Sequence, residues 1–115
     1  MKAVLYARVS SKEQEEGFSI PAQLILLKDY AKKNKFRVIK EFIDVETAKQ
    51  AGRSSFNSMI DFLKNNLEVK NILCEKTDRL YRNFKDYITI EDLELKMHLV
   101  KENEVLSSVS LLNDY

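Results

Sequence analysis

Residues 2–7, Lys-Ala-Val-Leu-Tyr-Ala, constrain this chain more than any other stretch. The run is almost continuously apolar and has no face to give to water. It reads as a strand buried on both sides, the signature of a parallel sheet. Parallel strands need crossover connections, and helices must then cover the two faces of the sheet.

The rest of the chain supplies them. Residues 19–35 read as a helix: Ser19 can cap it, Pro21 is tolerated in its first turn, and Ile20, Leu24, Leu27 and Ala31 form one stripe. Lys32, Lys33 and Lys35 complement the dipole at its end, and are read as that and not as a DNA-binding patch. Residues 36–43 alternate as a second strand, and 44–53 form a polar connection. Residues 54–66 read as a helix with Phe56, Met59, Ile60 and Leu63 on one face. A third strand (69–75), a charged segment (76–83), a third helix (84–97) and a fourth strand (98–103) follow. Residues 8–18 read as a polar loop. This alternation predicts an α/β fold: an open, mostly parallel sheet with helices on both faces, in three layers.

At 115 residues, 44% of them hydrophobic, and with no repeat or linker, the chain reads as one domain. No apolar run approaches the roughly 18 residues that cross a membrane. The single cysteine, Cys74, excludes an internal disulfide and a multi-cysteine metal cluster. It reads as a small apolar strand residue, and it fits a reducing cytoplasm, the expected location.

A net charge of +1 argues against a self-sufficient DNA-binding domain. The positions of the arginines say more than the total. Arginine is preferred where an oxyanion is recognised by planar, bidentate contacts. Arg8 ends the first strand two residues before Ser10, so the two side chains emerge on one side of extended chain. Arg53 closes the loop after the second strand. Asp78, Arg79 and Arg82 follow the third, and if that segment starts a helical turn the two arginines share one face. Open α/β sheets bind ligands outside the carboxyl ends of their strands, and four of the five arginines fall there. Only Arg37 begins a strand instead.

Guanidinium groups repel one another, so such a cluster needs anions. Asp44, Glu46, Glu75 and Asp78 can supply them as an ion-pair cage that merely joins loops. A phosphodiester suits the site better. Its non-bridging oxygens invite bidentate contacts, and a pentacoordinate transition state would be held more tightly still.

A serine hydroxyl is the candidate nucleophile. The one histidine, His98, lies in the last strand and is read as a packing or surface residue. Arginines can lower a serine pKa, and Asp78 can move a proton. Ser11 has the same chemistry as Ser10 but points away from Arg8 in extended chain, which favours Ser10. Tyr6 and Tyr81 read as packed aromatics. A cysteine phosphatase would need five residues between its cysteine and arginine; Cys74 and Arg79 are separated by four, with no glycine between them. A magnesium nuclease using Asp44, Glu46 and Asp78 would have arginines repelling its ion. A receiver-like domain would need acids where Arg8 and Ser10 stand.

Residues 6–11, YARVSS, resemble the nucleophile motif of serine site-specific recombinases, the resolvase/invertase superfamily. Residues 75–83, EKTDRLYRN, resemble the second signature of that superfamily, an acid followed by two arginines. SIPAQ (19–23) matches the start of its first helix, and DVETAKQAGRSSF (44–56) its loop with a third arginine. EEGFSIPAQ (15–23) leans toward the large serine recombinases of phages and mobile elements. The resemblance covers about residues 2–105.

The resemblance implies a resolvase-like catalytic domain over residues 1–105 and a tail, 106–115, where the family's long oligomerisation helix begins. It implies that Ser10 attacks a DNA phosphodiester, forming a 5′-phosphoserine link and leaving a 3′-hydroxyl. Arg8, Arg79 and Arg82 would hold the phosphate, with Arg53 contributing from the opposite loop. Asp78 would orient an arginine or handle the leaving-group proton, and Gln23 would position groups around the phosphate. No metal or nucleotide cofactor is implied, and no membrane. The implied partners are double-stranded DNA at a specific recombination site, held mainly by regions beyond this chain, and further copies in a dimer and tetramer. Alone, these residues are expected to recombine little or not at all. The competing expectation is a non-catalytic interaction module that keeps only oligomer contacts.

Overall fold

A computed structural model describes residues 1–47, 53–81 and 83–107. Strand β1 (Lys2–Ser10) lies between β2 (Arg37–Glu46) and β3 (Asn71–Cys74), parallel to both. β4 (Lys96–Leu99) continues the parallel run, and β5 (Glu104–Ser107) ends the sheet antiparallel to β4. The order β2-β1-β3-β4-β5 explains the apolar run at the start. β1 is an interior strand, and Ala3 to Ala7 are completely buried.

Alternate β1 residues feed two cores. Ala3 and Leu5 pack with Leu73 under α2 (Ile20–Lys33), against Leu27 and Ala31. Val4 and Tyr6 face the other way, toward α3 (Ser54–Asn65) and α5 (Phe84–Asp92). There Phe56, Met59, Ile60, Leu63 and Ile90 complete a larger core with Ile72 and Met97. Each such side chain contributes about 1.5–3 kcal/mol on full burial. Helices therefore cover both faces, as the alternation of elements predicts. Helix α2 is capped as its sequence suggests: the Ser19 hydroxyl accepts the Ala22 N–H at 3.3 Å, with Pro21 in the first turn.

Several boundaries differ from the sequence reading. The polar stretch 8–18 holds the end of β1 and a short helix, α1 (Ser11–Glu15). β2 continues through Asp44 to Glu46. The third long helix stops at Asp92, because Glu94 turns the chain with a left-handed φ of 55°, and Lys96 and Met97 join β4. The fourth strand ends at Leu99 instead of residue 103, and a fifth strand absent from the sequence reading follows it. A 3-10 turn (Val100–Glu102) and Asn103, at φ 52°, reverse the chain into β5. Asparagine tolerates that left-handed conformation, which is why a reversal fits there. Arg82, residues 48–52 of the polar connection and residues 108–115 of the expected tail lie outside the described residues. Among the described residues no helix is long and apolar enough to cross a membrane.

His98 is a packing residue, and a buried one. Its Nε2 meets the Asn71 side-chain oxygen at 3.0 Å and its Nδ1 the Tyr30 hydroxyl at 2.8 Å. The Asn71 amide nitrogen donates to the Lys2 carbonyl at 3.1 Å. Its oxygen therefore has to accept, so Nε2 carries the proton and Tyr30 donates to Nδ1. Burial, helped by the charge of Lys96, pushes the imidazole pKa down to about 4.

Candidate active site

The carboxyl ends of β1, β2 and β3 meet α1 and the short helix α4 (Thr77–Leu80), and the charged residues gather there. Ser10 is the last residue of β1 and the N-cap of α1. Its Oγ accepts the Glu13 N–H at 3.1 Å, while Glu13 Oε1 accepts the Ser10 N–H at 3.1 Å. This reciprocal pair is a capping box. Gly17, at φ 97°, closes the other end of α1: its N–H reaches the Gln14 carbonyl and the Phe18 N–H reaches that of Glu13. That is a Schellman motif, which a residue with a Cβ would strain. Five residues form a helix here because both ends are satisfied.

Arg8 joins β1 to the other elements. Its Nε donates to the Arg79 carbonyl at 3.1 Å, one terminal nitrogen to Glu46 Oε2 at 3.0 Å, and the other to the Asp78 carbonyl. Gln23 grips the Arg8 main chain from α2, accepting its N–H at 3.2 Å and donating to its carbonyl at 2.9 Å. This accounts for a glutamine at 2% exposure on a helix face whose Ile20 and Leu24 are only half-buried.

Among the described residues Arg79 is the most enclosed cation, with a side chain 3% exposed. Its Nε donates to Glu75 Oε1 at 3.3 Å, and its Nη1 to Glu13 Oε2. Lys101 backs Glu75 at 3.7 Å, so two cations face two carboxylates. Burial works against the charge on Arg79, but the bonds and charges of Glu13 and Glu75 prevail and raise its pKa. For Glu13, burial works upward. The Arg79 bond, the Ser10 N–H and the Arg79 charge outweigh it and hold the carboxyl below its usual value.

Arg53, at the start of α3, approaches from that side, where its charge and that of Arg8 both reach Tyr6. It stacks on Phe56 with its guanidinium carbon 3.9 Å from the ring centre, and donates to the Tyr6 hydroxyl at 3.3 Å and to Asp86 at 2.5 Å. The Tyr6 hydroxyl donates to Asp44 at 2.7 Å. Burial first, then that bond, push the phenol pKa far up, so Tyr6 is no ready nucleophile. Cys74 is likewise pushed up by complete burial. Asp44 is not an arginine partner: it also accepts the Ser55 and Phe56 N–H groups, each at 2.9 Å, and so caps α3 from β2.

Of the four carboxylates read as arginine partners, Glu46 and Glu75 act as such. The Asp78 side chain is 70% exposed with Lys76 at 4.0 Å, and Asp78 meets Arg8 through its carbonyl. Glu13 and Asp86 pair with arginines and were not among the candidates. Glu13 has a legible signal, the Ser-x-x-Glu spacing of a capping box. Asp86 has none, since only the packing of α5 against α3 brings it to Arg53. The Ser11 hydroxyl donates to the Glu46 carbonyl at 3.2 Å.

The family model of the resolvase N-terminal domain matches residues 3–107. Among solved structures, a resolvase family site-specific recombinase from Streptococcus pneumoniae is 28% identical, with a TM-score of 0.77 over 99% of this chain and 84% of that one. The C-terminal catalytic domain of ISC1926 TnpA, an IS607-like serine recombinase, is 27% identical, with a TM-score of 0.70 over 87% and 67%. The N-terminal catalytic domain of TP901-1 integrase shares the fold at 23% identity, with a TM-score of 0.74 over 91% and 81%. No curated protein is a match. With the family model spanning nearly the whole chain, this protein belongs to the resolvase N-terminal domain family, and its fold is that of serine recombinase catalytic domains.

Proposed function

We propose that this domain cleaves and rejoins DNA, with Ser10 as nucleophile. The Ser10 oxygen forms a bond to a DNA phosphorus as the bond to the 3′-oxygen breaks. The serine proton is lost and the departing 3′-oxygen gains one. The product is a 5′-phosphoserine, which keeps the energy of the cleaved bond for rejoining. Arg8, Arg79 and Arg82 hold the phosphoryl oxygens, Arg53 contributes, and Gln23 fixes the strand end that carries Arg8. The Asp78 carbonyl orients Arg8. Double-stranded DNA at a recombination site and further copies of the chain are the partners.

One observation carries this reading. A single carboxylate, Glu13, spans the Ser10 main chain and the Arg79 guanidinium. An anion of phosphate size therefore reaches from the nucleophile's residue to a buried arginine. The occupation of Arg8 and Arg79 by the chain's own carboxylates also supports weak activity of these residues alone.

The test uses the domain fused to a sequence-specific DNA-binding module and a nicked suicide duplex. A denaturant-resistant adduct mapping to Ser10 is expected. An adduct on any other residue overturns the assignment. No adduct under any condition leaves the non-catalytic interaction module as the better reading.

A further inference from the structure

Arg79 is already paired on both sides, by Glu75 through Nε and by Glu13 through Nη1. A phosphodiester arriving there would be a third anion around one guanidinium. Like charges at such distances repel by several kcal/mol even at an intermediate dielectric, so one carboxylate has to leave. The two are not equal. The Glu75 side chain is 8% exposed and is backed by Lys101. That of Glu13 is 29% exposed, on the first turn of a short helix. Returning Glu13 to water costs less, because it is already partly solvated. The exchange also conserves charge, since one monoanion replaces another.

We propose that Glu13 is the group a DNA phosphate displaces from Arg79: a positioning residue that keeps the guanidinium aligned until substrate arrives. The inference rests on the reading of this cluster as a phosphate site. It adds a consequence for the nucleophile. The same carboxylate accepts the Ser10 N–H, so its departure removes half of the capping box and frees the end of β1 to adjust.

Glu13→Gln separates charge from cap, because glutamine serves at this capping-box position as glutamate does. The 115-residue chain and its E13Q variant are titrated with sulfate near pH 7, following the Arg79 side-chain and Ser10 amide resonances by NMR. E13Q is expected to bind sulfate at Arg79 about tenfold tighter, a difference of ~1.4 kcal/mol. Arg79→Gln added to E13Q is expected to remove the gain. Glu13→Ala, which loses both charge and cap, is expected to match E13Q. Equal affinity of parent and E13Q, with Arg79 still responding, overturns displacement and leaves the phosphate site standing. A gain confined to E13A also overturns it, because a loosened helix would then be the cause. No response at Arg79 in any variant overturns the inference together with the site.

Discussion

Gln23 and Arg8 form a closed pair: the glutamine side chain accepts the arginine N–H at 3.2 Å and donates to its carbonyl at 2.9 Å. The main chain that aims Arg8 is thus held by a side chain of another element. Gln23→Leu fills the volume but leaves both main-chain groups without these partners. A loss of about 1–3 kcal/mol is expected in urea unfolding, together with shifted Arg8 side-chain resonances. Unchanged stability and unchanged Arg8 resonances would remove Gln23 from any positioning role.

His98 gives the domain an acid-sensitive stability. Its folded pKa of about 4 lies below the ordinary 6.5, so protons bind more readily to the unfolded chain. The stabilisation is complete above about pH 6.5, falls as pH drops toward 4, and changes no further below that. Between pH 7 and pH 5 the loss should reach roughly 2 kcal/mol. The lowered titrations of Glu13 and Glu102 begin beneath the ordinary 4.5 and leave this window to His98. Urea midpoints measured across it should slope for the parent and flatten for His98→Gln. Parallel slopes for the two proteins would exclude the imidazole as the cause.

Residues 2–7 made the sheet legible, because an interior strand has to be apolar on both faces. The Phe56, Met59, Ile60 and Leu63 stripe made α3 legible for the same reason, burial repeated at a fixed period. Short elements with polar sequences were not legible that way. α1 has no buried residue, and its caps are its only signal. β5 is four residues long and depends on a turn at Asn103. At the site, Arg8, Ser10 and Arg79 were legible as a cluster because strand ends bring them to one edge. Their partners were harder. Glu75 to Arg79 is a local i, i+4 pair, whereas Arg53 to Asp86 depends on how two helices pack.

Asp44 is a structural residue under the site. It replaces the missing side-chain cap of α3, whose own N-cap, Arg53, makes none. Asp44→Ala would leave the Tyr6 hydroxyl and two N–H groups of α3 without their acceptor. A loss of about 3–5 kcal/mol is expected in chemical denaturation. Asp44→Asn keeps one acceptor oxygen and should cost about 1–3 kcal/mol. An alanine variant within about 0.5 kcal/mol of the parent would show that the bonds contribute little.

Ser10 and Ser11 separate by what their hydroxyls do. The Ser11 proton is committed to the Glu46 carbonyl, at 3.2 Å. The Ser10 oxygen accepts from Glu13, which leaves its own proton available for transfer. Ser10→Ala should abolish the covalent DNA adduct while costing about 1 kcal/mol through the lost cap. Ser11→Ala should lose about 0.5–1.5 kcal/mol and keep most of the adduct. Both variants are compared in the fused domain on the nicked duplex, at a temperature where each is folded. Equal loss of adduct would sink the assignment, because stability differences of that size leave the folded population nearly unchanged.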